Sequence, residues 1–270
     1  MSALPFQAVA FDFDDTLLLD DLSISANTLK TLKRLQALGV RLIPASGRAQ
    51  RSMQPFVDRI GDIEFYIACN GAEIWSASDH RLLAEEAFSC EVGKAIAAFG
   101  KKWCVYAQTY DGPYFYYNEE SVWAERYAKA TKLTGKYVGD LEEYIREPRN
   151  KILMMAEEDK IASMLPKAQT LFQGKASVTC SKPWFLEFNP PEATKGKALK
   201  KVCDMFGLSL SSCIAFGDSL NDLSMIQAAG RGVLMKNGRT ELRTLSDDIC
   251  ESNQEDGVAE YLKLVFREVL

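Results

Sequence analysis

Short apolar runs that stop abruptly at polar clusters do most to limit what this chain can fold into. AVAFDF (8–13), which is apolar until its first acid, VRLIPA (40–45), FYIAC (65–69) and CIAFG (213–217) have that form. Such runs suit parallel strands buried on both faces. Between the first two, Leu29, Leu32, Leu35 and Leu38 recur at helical spacing and Gly39 is placed to stop the helix, so the segment reads as a βαβ unit. Residues 50–60 read as a helix interrupted by Pro55. After Thr194 the alternation resumes: helix 195–206, strand 213–217, helix 221–229, strand GVLM (232–235) and a final helix from about Gly257.

The pattern differs after about residue 81. WCVYAQTY (103–110) and PYFYYN (113–118) flank Asp111 and Gly112, a pair suited to a tight hairpin turn. Helices at 121–133 and 159–173 and strands at 151–157, 176–181 and 185–189 follow. The expected fold is therefore α/β: a doubly wound, mainly parallel sheet of the Rossmann-like kind built from residues 1–81 and 190–270, interrupted by an inserted α+β domain at 82–189.

Composition narrows the chemistry. The 270 residues, 47 % of them hydrophobic and 26 % charged, are ordinary globular usage. A net charge of -5 gives little general attraction for nucleic acid or anionic membranes, so neither is an expected partner, and a phosphorylated ligand has to be held by local donors or a metal. Seven scattered cysteines read as reduced core residues, no charged-then-apolar leader is visible, and no apolar run approaches the roughly twenty residues that span a bilayer. A cytoplasmic protein is expected. His80 is the sole histidine, which leaves Ser/His/Asp catalysis and histidine-bound zinc poorly supplied.

The polar clusters carry what remains. Asp12 and Asp14 stand two apart at a strand end, where period-two geometry aims both carboxylates to one side. Ser46, Gly47 and Arg48 offer a hydroxyl, an open backbone amide and a guanidinium, which can cradle phosphate, although SGR alone is also an ordinary strand-to-helix turn. GDSLND (217–222) puts Asp218, Asn221 and Asp222 at another strand end, where a helix cap accounts for one acid but not both. Thr194 reads as an N-cap, which places Lys195 in a first helical turn against the positive end of the dipole; the mismatch points to an anion facing it.

Together, DFDDT (12–16), SGR (46–48), Lys195 with Gly196, and GDSLND (217–222) resemble the four signatures of the haloacid dehalogenase-like hydrolase superfamily, and NGAEI (70–74), LEFNPPEATKGKAL (186–199) and DGVAEYL (256–262) resemble its Cof-type subfamily. The resemblance covers nearly the whole chain and implies a Mg²⁺-dependent phosphatase of small phosphorylated metabolites, sugar phosphates first. It implies that Asp12 is the nucleophile that becomes phosphorylated. Asp12, the Asp14 carbonyl and Asp218 would hold the metal, and Asp14 would be the acid and base, with a pKa above that of Asp12. Lys195 would neutralise charge, Ser46, Gly47 and Asn221 would bind phosphate, and Asp222 would orient Lys195 or an outer-shell water. Arg48 is open between meeting the leaving group or the inserted domain and bracing its helix. Asp15 departs from the family, which commonly has glycine there. The inserted domain would close over the site, a few of its aromatics (Trp103, Tyr106, Tyr114, Tyr116, Trp123, Tyr127) reaching ligand and most forming its own core. Phosphotransfer to a second substrate and a non-catalytic phosphate-binding module are the rival readings. Oligomeric state is not legible.

Overall fold

A computed structural model describes residues 4–112 and 114–268 of the protein. In chain order the elements are β1 (Ala8–Phe11), α1 (Ala26–Ala37), β2 (Arg41–Pro44), α2 (Gln50–Ile60), β3 (Phe65–Ala68), β4 (Glu73–Ser76) and β5 (Leu82–Glu85). Then come α3 (Cys90–Lys102), β6 (Tyr106–Asp111), β7 (Tyr114–Tyr117), α4 (Val122–Thr131), β8 (Thr134–Tyr137), α5 (Leu141–Tyr144), β9 (Ile152–Met155), α6 (Glu158–Leu171), β10 (Ser177–Thr179) and β11 (Phe185–Asn189). The chain closes with α7 (Lys195–Met205), β12 (Cys213–Gly217), α8 (Leu223–Ala228), β13 (Arg231–Met235), β14 (Asp248–Cys250) and α9 (Gly257–Val265).

Among the described residues, five parallel strands form one sheet in the order β14-β13-β12-β1-β2. The order is non-sequential, with β1 between β12 and β2, and a parallel pair needs a crossover, which is why helices cover both faces. Alternation along β1 serves each face: Val9 and Phe11 pack with Leu32, Leu35, Val57 and Leu262, while Ala8 and Ala10 pack with Leu199 and Val202 of α7. The α/β fold with a mainly parallel sheet is as the sequence indicated. A parallel bridge from Ala45 to Ile67 attaches the antiparallel sheet β3-β4-β5 beside β2, so pairing of this accessory sheet runs to Glu85, past residue 81.

The inserted segment forms its own six-stranded mixed sheet, β10-β11-β9-β6-β7-β8, with α3, α5 and α6 against one face and α4 against the other. The expected hairpin is present as β6 and β7, but Asp111 belongs to the strand and pairs with Tyr114; Pro113 lies outside the described residues. The apolar clusters of the insert are separate from those of the parallel sheet, with Ala49 the only outside residue packed on them among the described residues.

Two readings of the sequence change. Helix α2 runs continuously through Pro55 instead of breaking there; Arg51, whose carbonyl loses its donor, is exposed to water. Helix α3 escapes a reading by pattern because Gly93 and Gly100 lower its propensity. They are there for space: a Cβ on Gly100 would lie 2.8 Å from the Met154 side chain of β9.

Candidate active site

Register explains why distant residues meet. Phe11 lies opposite Pro44 on one side and Phe216 on the other, so β1, β2 and β12 end level and the residues after them share one edge. The Asp12 amide donates to the Phe216 carbonyl and the Ala45 amide to that of Phe11, which extends the ladder to the threshold of the site. The chain turns away only at Asp15 (φ 58°).

Lys195, at the first position of α7, is completely buried and donates to Asp12 Oδ1 at 2.6 Å and Asp222 Oδ1 at 2.5 Å. These are the anions that its place at a helix N-terminus calls for. The other oxygen of Asp222 accepts the amides of Asp218 and Ser219, each at 3.0 Å, and so shapes the loop after β12. Gly217 permits this close approach, since a Cβ there would sit 2.4 Å from that of Asp222. One ammonium thus serves two carboxylates. Burial would strip the proton from Lys195, but Asp12 and Asp222 hold it above its ordinary range. Asp12 is the less satisfied acid: burial pushes it up to about 7, against the pull of Lys195 and with help from Asp222 and Asp14.

Asp218 receives a hydrogen bond from Thr16 Oγ1 at 3.2 Å, and burial, reinforced by Asp222, Asp12 and Asp15, raises its pKa strongly. Carboxylate oxygens of Asp12, Asp218 and Asp222 approach within 4.8 Å of one another. Crowded, buried, all-oxygen donors suit a small hard dication. Because both Asp222 oxygens are already engaged, Asp12 and Asp218 are the side chains free to hold such an ion.

The phosphate-cradle candidates converge here too. Ser46 is buried, and its Oγ accepts the Arg48 amide at 3.2 Å. Arg48 grips Asp14 with two hydrogen bonds, Nε to Oδ2 at 2.8 Å and Nη2 to Oδ1 at 2.7 Å, and braces itself on Ser52 Oγ and the face of Phe56. This reverses the expected order of the two acids. Burial would raise Asp14, but the hydrogen bonds and charge of Arg48 overcome it and hold Asp14 below the usual carboxylate range, whereas Asp12 lies above it. A bidentate guanidinium is the stronger influence, and spacing along the chain does not disclose it.

Asn221 is also in the site, but its Nδ2 is directed to Asn70 Oδ1 at 2.9 Å, leaving its own Oδ1 buried without a partner. It therefore presents an acceptor as well as its remaining N–H, and an acceptor suits a water on a cation better than a phosphate oxygen. Asn70 continues to Glu187 of β11 at 3.4 Å, and Glu187 Oε1 accepts from Lys151 Nζ at 2.7 Å. The Lys151 ammonium donates to the Gly47 carbonyl at 2.6 Å as well, so a buried ion pair of the insert is fastened to the SGR turn. Lys151 was missed by sequence reasoning; its lone cation at the start of an apolar strand was the available signal. Lys151→Met, which strands Glu187, is expected to destabilise the protein by about 3–5 kcal/mol in urea unfolding. A loss under 1 kcal/mol would show that water already satisfies the pair.

These groups open into a cavity of about 530 Å³ between the two sheets. Trp123 and Tyr127 line it, as do Trp184 and Phe185, which sequence reasoning did not single out; Trp103, Tyr106, Tyr114 and Tyr116 do not.

The sequence profile of the haloacid dehalogenase-like hydrolases matches residues 9–262. The chain belongs to this family. The hydrolase is 30 % identical to a 5-amino-6-(5-phospho-D-ribitylamino)uracil phosphatase of Bacillus subtilis over 96 % of its own chain and 97 % of the relative. It is 30 % identical to an HMP-PP phosphatase of Cronobacter sakazakii, covering 86 % and 85 % of the two chains. A solved haloacid dehalogenase-like hydrolase from Bacteroides thetaiotaomicron superposes with a TM-score of 0.85 at 29 % identity, covering 97 % of this chain and all of that one. The protein is a phosphoric monoester hydrolase with a mainly parallel core sheet and a cap-like second sheet. Asp15 in place of the family's glycine is now intelligible: the position is left-handed, which aspartate tolerates better than most residues, and its carboxylate meets Lys182 of the insert at 3.3 Å. Ser219 to the Ser181 carbonyl and Arg239 to the Cys180 carbonyl complete that second polar joint.

Proposed function

We propose that this hydrolase is a Mg²⁺-dependent phosphatase of small phosphorylated metabolites, sugar phosphates among them, that works through an aspartyl-phosphate on Asp12. The carrying observation is the fully buried Lys195 ammonium shared by Asp12 and Asp222, beside Asp218, at the level ends of three parallel strands. Names of relatives that act on small phosphate esters support the reading. Residues 1–81 and 190–270, together with β5, are the catalytic core in this proposal, and the rest of 82–189 is the cap. Thiols unpaired throughout suit a reducing, cytoplasmic setting.

An Asp12 oxygen attacks phosphorus while the bond to the ester oxygen breaks, and Asp14 gives that oxygen a proton. Water then loses a proton to the Asp14 carboxylate and attacks the phosphoaspartate, which frees phosphate and Asp12. Arg48 stabilises the ionised Asp14 that the second step uses, and the arriving phosphate dianion favours the protonated form that the first uses. Lys195 keeps Asp12 approachable by an anion, Ser46 and the Gly47 amide orient the phosphate, and Asp222 orients Lys195. Asp12, the Asp14 carbonyl and Asp218 would hold Mg²⁺, which would supply further charge neutralisation. Phosphate release from a panel of sugar phosphates is expected to cease in EDTA and return on adding Mg²⁺; turnover that persists in EDTA would overturn the metal assignment.

A further inference from the structure

We infer that the leaving group accepted by this site carries a planar heterocyclic ring, seated on an aromatic wall that the insert presents to the cavity. The inference rests on the phosphatase reading and adds the substrate class. Trp184 and Phe185, on the approach to and start of β11, meet edge to face at 6.3 Å between centroids, and Phe185 neighbours the Tyr127 ring at 6.5 Å. Trp123 is half-buried one turn before Tyr127 on α4, and Leu153 and Met155 of β9 line the same cavity. Trp184 is 42 % exposed although it lines a concavity. Apolar surface left wet in a concave site is surface that a ligand can cover.

The aromatic and aliphatic members of the wall offer a bare polyol little hydrogen bonding; the polar lining of the same cavity comes from other residues, Arg126, Thr131, Ser181 and Lys182 among them. The Tyr127 hydroxyl is engaged with that of Tyr110 at 2.6 Å, and Lys151 is engaged with Gly47 and Glu187. What these residues leave to a ligand is ring faces and aliphatic surface, which favour stacking. Glu157 and Glu158 line the same cavity and suit a ring whose edge bears N–H donors.

Matched pairs that share one phosphate ester isolate the ring: FMN against ribitol 5-phosphate, and UMP against ribose 5-phosphate. With Mg²⁺, kcat/KM is expected to be about tenfold higher for the ring-bearing member of at least one pair, the size of a single stacking contact. Trp184→Ala should shrink that ratio about tenfold, and Trp184→Phe, which keeps a ring, should largely restore it. Calorimetric titration of Asp12→Asn with the same pairs reads ring preference without turnover, so the inference is decided even if catalysis fails. Equal affinities and equal kcat/KM within both pairs, or a ratio untouched by Trp184→Ala, would overturn it. Absence of hydrolysis with every ester, or hydrolysis surviving in Asp12→Asn, would instead strike the phosphatase reading.

Discussion

Asp12→Asn is expected to lower phosphate release by at least about 10³-fold and, in EDTA at neutral pH, to make the protein more stable than its parent. The two effects have one origin. Lys195 is shared between Asp12 and Asp222, so the buried trio carries a net negative charge, and Asp12, pushed from 3.8 to about 7, is the member that pays for it in desolvation. A carboxyl whose folded pKa is raised contributes stability that is full below about 4 and is lost as pH rises through about 7. Asparagine cannot ionise and escapes that loss. The stability advantage of the variant should therefore grow between pH 4 and 7 to the order of 1–3 kcal/mol, a rise of several degrees in Tm. Thermal unfolding at four pH values across that window checks it; an advantage independent of pH would contradict the assignment of strain to Asp12. Trapping with labelled substrate should find no phosphorylated carboxylate in the variant.

Lys195→Met should harm both properties. It removes the cation from two buried carboxylates, a change expected to weaken the fold by about 3–5 kcal/mol, and it removes charge compensation at the transferring phosphoryl group, expected to lower kcat by about 10²–10³. The pH dependence distinguishes this from simple mispacking. In the parent, the Lys195 pKa lies above its ordinary value, so its contribution is complete at neutral pH and is lost only as pH rises through the folded value. In the variant, Asp12 and Asp222 face each other uncompensated, and protonating Asp12 relieves the repulsion. The stability deficit should thus shrink from pH 8 to pH 4 in urea titrations; a constant deficit would mean that only volume was lost.

The polar edge of the parallel sheet was readable in the sequence because it belongs to elements that announce themselves. Buried parallel strands leave uninterrupted apolar runs, and their ends are marked by the polar residues that follow, so Asp12, Ser46 and Asp218 could be placed on one edge without knowing any contact. Lys195 was visible as a charge in the wrong half of a helix dipole. The acid order was not readable, since it depends on Arg48 lying flat against Asp14 across 34 residues of chain. Nor was the Lys151–Glu187–Asn70 connection, whose members sit on three elements and have no shared spacing. The short edge strand β14, polar at Asp248 and exposed at Ile249, lacks the apolar run by which its neighbours were recognised. Helix α3 was hidden by its two glycines, of which Gly100 lies against Met154 of β9 and Gly93 against Ile145.

The two sheets keep their greasy interiors to themselves and touch through ammonium, guanidinium, hydroxyl and carbonyl groups. Such a seam can be flooded and resealed at small expense, because solvent offers each parted group an equivalent partner. If the two halves part to admit an ester, neither has to repack, and the cavity-lining side chains of the insert can vary without disturbing the carboxylates at the strand ends.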